Sequence, residues 1–103
     1  MYNFGPAMGL KGWIDHLARV GVTIKYNEKG IPIGQLSGKQ VLIAASSGGT
    51  TMGSKRDMLS PWLDVALDKV GLTELEFVWH AGFSEDAKVK ADADIEAVLR
   101  TFE

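Results

Sequence analysis

Apolar residues at helical spacing open the chain. Leu10, Trp13, Ile14 and Leu17 form one stripe, which predicts a helix over residues 7–20. Ahead of it, Asn3 and Gly5 suit a tight turn and Pro6 suits a first helical position. Lys11 and Asp15 stand four apart on its outer face, and Gly21 is placed to end the helix in a left-handed conformation. The period then changes. Residues 22–26 alternate and are β-branched, so they read as a short strand, with a turn at 27–30 and a return arm at 31–36. Pro32 cannot donate to a ladder, which confines that arm to an edge or to an excursion outside the main sheet.

A continuous apolar run at 40–45 follows, as expected of a strand buried on both faces of a parallel sheet. It runs into Ser46, Ser47, Gly48, Gly49, Thr50 and Thr51, a polar loop at the strand's carboxyl end, and then a flexible surface segment up to Asp57. Ser60 and Pro61 read as N-cap and first helical position of a helix reaching Val70, closed by Gly71. Residues 75–79 form the next strand and residues 80–83 a loop. Ser84 caps a last helix with Glu85 and Asp86 in its first turn and Ala91, Ile95, Val98, Leu99 and Phe102 as its stripe. The order helix, hairpin, strand, helix, strand, helix predicts an α/β fold with parallel strands and crossover helices. Only two strands read as central, and both want neighbours that this stretch does not provide.

Composition narrows the picture by exclusion. The chain has 103 residues, enough for one small domain, with 46% hydrophobic and 23% charged residues. A net charge of -2 with scattered basic residues gives no electrostatic reason to expect nucleic acid or acidic membranes. The absence of cysteine excludes disulfides and thiolate metal sites and fits a cytoplasmic address. The longest apolar run is far too short to span a bilayer.

The candidate chemistry is thin. Ser46 to Gly49 offers hydroxyls and exposed backbone N–H groups where α/β sheets place ligands; it is a phosphate or flavin-edge site, or a plain connection. His16 borders the first stripe. His80 ends a strand and lines a pocket or serves the structure. Trp13, Trp62 and Trp79 fall at core spacing, and Asp92, Asp94 and Glu96 form a solvated helix face. Two histidines without a carboxylate pattern make no metal site. With no catalytic nucleophile–base pair legible, redox or transfer chemistry would come from a cofactor.

Met1-Tyr2-Asn3-Phe4, Leu10-Lys11-Gly12-Trp13-Ile14-Asp15, Arg19-Val20-Gly21-Val22-Thr23-Ile24-Lys25-Tyr26 and Ser46-Ser47-Gly48-Gly49 together resemble the FMN-dependent NADH-azoreductase/quinone reductase family. The resemblance implies a partial flavodoxin-like three-layer sandwich, with the chain equivalent to the C-terminal half. The first three strands and the loop holding the FMN phosphate then lie outside it. It implies isoalloxazine contacts from Met1, Tyr2, Asn3, Phe4, Ser46, Ser47, Gly48 and Gly49, and a substrate pocket lined by Tyr26 of the excursion in a homodimer. Two positions depart from the family pattern: Ser47, where Arg is common, and Lys69, where an aromatic is frequent.

Two functions of different class follow from the resemblance. One is an oxidoreductase in which FMN takes hydride from NADH and passes it to a quinone or azo compound in a ping-pong cycle. The other is a non-catalytic half-domain that completes its sheet with a partner or a second copy. In either case the expected state is a homo-oligomer, and isolated residues 1–103, lacking the phosphate loop, are expected to bind FMN weakly or not at all.

Overall fold

The computed structural model describes residues 1–102. Its elements in chain order are α1 (Met8–Leu17), β1 (Ile24–Tyr26), β2 (Pro32–Gly34), β3 (Gln40–Ser47), α2 (Ser60–Lys69), β4 (Glu74–Ala81) and α3 (Glu85–Thr101). Strands β1 and β2 pair antiparallel, Tyr26 opposite Pro32, as a hairpin separate from the main sheet. Strands β3 and β4 pair parallel along their whole length, from Gln40 opposite Glu74 to Ser47 opposite Ala81. The connection between them passes through α2, the crossover a parallel pair requires.

Alternation along the two parallel strands divides their side chains. Val41, Ile43, Ala45, Leu75, Phe77 and Trp79 turn to one face and pack on a core of Ile14, Ile24, Leu59, Leu63, Leu67, Val70 and Leu72. That core joins α1, the hairpin and α2 into one layer. On the other face Val78 is buried, and α3 packs against β4 with Ala91 as its buried residue. The apolar run of β3 predicts burial on both faces, but Gln40, Leu42, Ala44 and Ser46 are all exposed. Helix α3 covers the neighbouring strand and does not reach them. The radius of gyration is 15.5 Å, above the roughly 13 Å of a compact chain of this length.

Several boundaries differ from the sequence reading, each for a local reason. Helix α1 starts at Met8 with Pro6 outside it, and it ends at Leu17 rather than Val20. The Thr23 hydroxyl takes up the Leu17 carbonyl at 2.6 Å and accepts from the Arg19 N–H at 2.8 Å, so the chain leaves the helix there. Gly21 is left-handed, φ +87°, but within the following turn, not at the cap. Trp13 is 57% exposed instead of core, and Ile95 and Leu99 of the α3 stripe are also exposed. Ser46 and Ser47 belong to β3, and His80 and Ala81 to β4, so both strands run further than their apolar segments.

Gly34 fixes how the hairpin meets the core. The Leu36 N–H donates to the Val70 carbonyl at 2.9 Å, bringing β2 against the end of α2. A Cβ at Gly34 would overlap the backbone of Val70 and Gly71. Only glycine allows this approach.

Candidate functional site

The amino-terminal stretch is a two-residue turn. The Tyr2 N–H donates to the Gly5 carbonyl at 3.1 Å and the Gly5 N–H to the Tyr2 carbonyl at 3.0 Å. The turn residues have φ of 46° at Asn3 and 69° at Phe4. Two consecutive positive φ values define a type I′ turn, whose second position is normally glycine. The sequence suggested Asn3 and Gly5 as the permissive residues; Asn3 is left-handed as expected, but its companion is Phe4, an aromatic, and not Gly5. Such strain costs on the order of 1–3 kcal/mol per residue and collects at functional sites.

This turn sits beside the end of β3. The Met1 nitrogen donates to the Ser46 carbonyl at 3.1 Å, joining residues 45 apart in sequence. Two clefts flank the Gly48–Gly49 loop. One, of about 420 Å³, is lined by Met1, Tyr2, Ser46, Ser47, Gly48, His80, Gly82 and Phe83. The other, of about 540 Å³, is lined by Phe4, Gly49, Thr50, Thr51, Ser54, Lys55 and Arg56. A Cβ at Gly49 would meet nothing within 4 Å, so a planar group can come directly onto that backbone. His80 lies opposite Ser46 in the parallel register, and its Nε2 is buried with no hydrogen-bond partner among the described residues.

The segment after the loop is anchored, although the sequence reads as flexible there. The Ser47 hydroxyl donates to the Thr50 carbonyl, as does the Trp79 indole N–H at 2.8 Å. Turns close from Ser54 to Thr51 and from Asp57 to Ser54, and the Met58 N–H donates to the Phe4 carbonyl at 2.9 Å. Its pin is Asp57, which is 5% exposed. One carboxylate oxygen accepts from the N–H groups of Leu59 and Ser60 at 2.9 and 3.0 Å; the other accepts from the Gly53 N–H at 3.0 Å and from the Ser60 hydroxyl. Burial pushes this carboxyl up, but the bonds from Gly53, Ser60 and Leu59 outweigh it and hold the group below the ordinary 3.8. Asp57, not Ser60, thus caps the start of α2. Pro61 drew the cap assignment to Ser60; the signal for Asp57 is its place three residues before a helix-opening Ser-Pro pair.

Of the predicted contact residues, Met1, Tyr2, Ser46, Ser47 and Gly48 line one cleft and Phe4 and Gly49 the other, all at the carboxyl end of β3, where a parallel sheet presents its ligand edge; Asn3 lies in the turn between Tyr2 and Phe4 and lines neither cleft. Tyr26 does not join them: it lies on the hairpin, 54% exposed, and lines neither cleft. His80, which the sequence offers as a pocket-lining or structural residue, lines one cleft; Lys55 and Arg56, to which no sequence motif points, line the other. Among the described residues no three His, Cys, Asp or Glu side chains converge as a metal site, and no helix is long and apolar enough to cross a membrane.

Comparison with known proteins gives this arrangement a family. The profile of the family described as "Flavodoxin-like fold" matches residues 1–103. The chain belongs to this family. A relative from Alcanivorax borkumensis, an FMN-dependent NADH:quinone oxidoreductase, is 43% identical over 93 residues, covering 88% of this chain and 46% of the relative. One of the same name from Dechloromonas aromatica is 42% identical over 97 residues, covering 94% and 48%. The chain thus spans about half the length of the curated relatives it matches. Among solved structures, an azoreductase from Bacillus anthracis superposes with a TM-score of 0.79 at 24% identity, over 97% of this chain and 50% of that one. An FMN-dependent NADH-azoreductase from the same species, solved with FMN, superposes at 0.80 and 22% identity. These likenesses establish the flavodoxin-like α/β fold.

Proposed function

We propose that this chain supplies the isoalloxazine contacts of an FMN-dependent NADH oxidoreductase acting on quinones or azo compounds. The observation that carries the reading is the meeting of the strained Asn3–Phe4 turn with the Ser46–Gly49 loop at the end of β3. The residues there suit a flavin ring. Asn3 carries an amide suited to the polar edge, Gly49 offers open backbone, and Tyr2 and Phe4 line the two clefts with aromatic rings. Met1 and Ser46 close the site from the β3 side. FMN, when bound, supplies two-electron transfer from reduced nicotinamide to the acceptor. Donor and acceptor occupy the cleft beside Phe4 in turn, a ping-pong order. Tyr26 would serve the cleft of a second copy, since it stands away from its own.

Flavin held only by its ring lacks the charge-assisted bonds to phosphate, each worth roughly 1.5–3 kcal/mol, so residues 1–103 alone bind FMN weakly. The test is flavin titration of the chain, alone and mixed with the separately expressed amino-terminal half of a full-length relative. The expected result is weak binding alone, tight binding and NADH–quinone turnover in the mixture. Failure of flavin to bind in either sample overturns the function. Stoichiometric flavin retained by the chain alone through dialysis overturns the weak-binding part.

A second reading is favoured by the exposed face of β3. Leu42 is 41% exposed in a strand whose composition suits burial on both sides, and on the opposite, core-facing side an apolar cavity of about 390 Å³ opens between Leu10, Trp13, Val41, Ile43 and Leu67. On this reading the chain is a non-catalytic half-domain that pairs with a partner or with itself through the edge of β3 away from β4. Turnover in the mixed sample separates the two readings.

A further inference from the structure

We propose that Lys55 and Arg56 make the cleft beside Phe4 selective for flat aromatic compounds that carry an anionic group. The inference deepens the proposed function and rests on its placing of the reacting ring beside Phe4. Both cations line the same cleft as Phe4 and Gly49, and the Arg56 guanidinium carbon stands 6.0 Å from the centre of the Phe4 ring. That is the outer reach of a cation–π contact, which keeps the guanidinium on the ring side of the loop.

Neither cation is in an ion pair among the described residues; Asp64 adjoins the loop at Gly53 and Ser54, and Asp86 and Asp94 adjoin it at Thr51 and Met52, each in a different cleft from the pair. No acid occurs from Ser46 to Arg56, nor among the first ten residues. The nearest acid in sequence, Asp57, has both oxygens engaged by Gly53, Leu59 and Ser60. The ion pair among the described residues is Lys11–Asp15, on α1. The positive flank is also local, because the whole chain carries a net charge of -2. The loop that bears it is held at Thr50 by the Ser47 hydroxyl and the Trp79 indole, and after Arg56 by the Asp57 cap and the Met58 bond to the Phe4 carbonyl, so the cations keep their place relative to the ring. A guanidinium and an ammonium on one wall of an aromatic-floored cleft complement a carboxylate, sulfonate or phosphate attached to a planar system. Two sources carry that chemistry: the acceptor's own acidic substituent, and the phosphates of the nicotinamide dinucleotide.

The experiment is a binding titration that needs no turnover. Anthraquinone, its monosulfonate and ADP-ribose are each titrated into the chain and into a Lys55→Gln/Arg56→Gln double variant, following the backbone amides of Phe4 and residues 49–56 by NMR. The sulfonate is expected to bind about tenfold more tightly than the uncharged ring, with the preference shrinking as salt rises and vanishing in the double variant. Affinity for the uncharged ring stays the same in both proteins. ADP-ribose binding that depends on the same two residues assigns the flank to the dinucleotide; dependence for the sulfonate alone assigns it to the acceptor. The proposal is overturned if no anionic probe binds, if the sulfonate shows no preference, or if the preference survives the double substitution. Riboflavin titrated into the same samples keeps the two readings apart. Flavin contacts without anion preference remove this inference only; anion preference leaves it standing, and the flavin reading then falls only if flavin also fails to bind the mixture with the amino-terminal half.

Discussion

Replacing Asp57 with alanine tests how the loop bearing the clefts is held. The substitution removes the acceptor for three backbone N–H groups and one hydroxyl. The Ser60 hydroxyl can turn elsewhere, and the Gly53 N–H, only partly buried, can reach water. The Leu59 and Ser60 N–H groups are buried and cannot. A buried donor left unsatisfied costs about 1–3 kcal/mol, so two give an upper range of about 6 kcal/mol, reduced because the buried charge is itself removed. We expect a net loss of about 2–4 kcal/mol, above the roughly 1 kcal/mol of an ordinary cap. For a chain of this size, each kcal/mol lowers Tm by about 4–8 °C. Asp57→Asn keeps one oxygen for Leu59 and Ser60 but turns an NH2 toward Gly53, so it should cost about half as much. Urea titration and thermal melts followed by circular dichroism at neutral pH measure all three proteins. An Asp57→Ala variant within about 0.5 kcal/mol of the parent would show that water replaces the carboxylate and that the loop is not pinned there. An asparagine variant as unstable as the alanine one would show that charge, not hydrogen-bond geometry, is what matters.

Because the Asp57 carboxyl is held below 3.8 in the folded chain, its stabilisation is present in full above the unfolded carboxylate range and is lost as pH falls through the folded value. The Tm gap between the parent and Asp57→Asn should therefore close below about pH 4; a gap constant from pH 7 to 3 contradicts this. Gly34→Ala drives a Cβ into the backbone of Val70 and Gly71, and should cost about 3 kcal/mol or undock the hairpin, read as lost amide protection at Leu36. Phe4→Gly relieves the left-handed strain of a 43%-exposed side chain, so it should hold or raise Tm by up to about 1 kcal/mol equivalent while weakening flavin binding; a lower Tm would show that the ring contributes more to packing than to the ligand. Light scattering should give a mass above that of one chain, since the face of β3 is uncovered; a monomer with a cooperative melt refutes it.

Much of the architecture was legible from local pattern. The run at 40–45 and the segment at 75–79 specify strands, and a crossover helix between them makes the pair parallel. Ser84 specifies its cap, realised by the Ala87 N–H at 3.1 Å, and Lys11 meets Asp15 at 2.7 Å. These are decisions within one turn or one strand, where neighbours along the chain are also neighbours in space. The candidate site was legible in part, through the two motifs at Met1–Phe4 and Ser46–Gly49. Their meeting was not, because the Met1–Ser46 bond spans 45 positions.

Tertiary structure alone decided the rest. It ended α1 at Leu17 through the hydroxyl of Thr23, six residues on, and moved the α2 cap to Asp57, whose acceptors match the buried N–H groups better than a serine next to proline. It left Trp13 and Leu42 exposed although both are apolar, since burial depends on what faces a residue and not on the residue itself. It put the left-handed turn on Phe4 rather than Gly5, because the Tyr2–Gly5 pairing fixes which two positions bend. The sequence by itself determined which segments are helix or strand and which motifs carry the family; contacts between distant segments determined which surfaces are covered and where the clefts open.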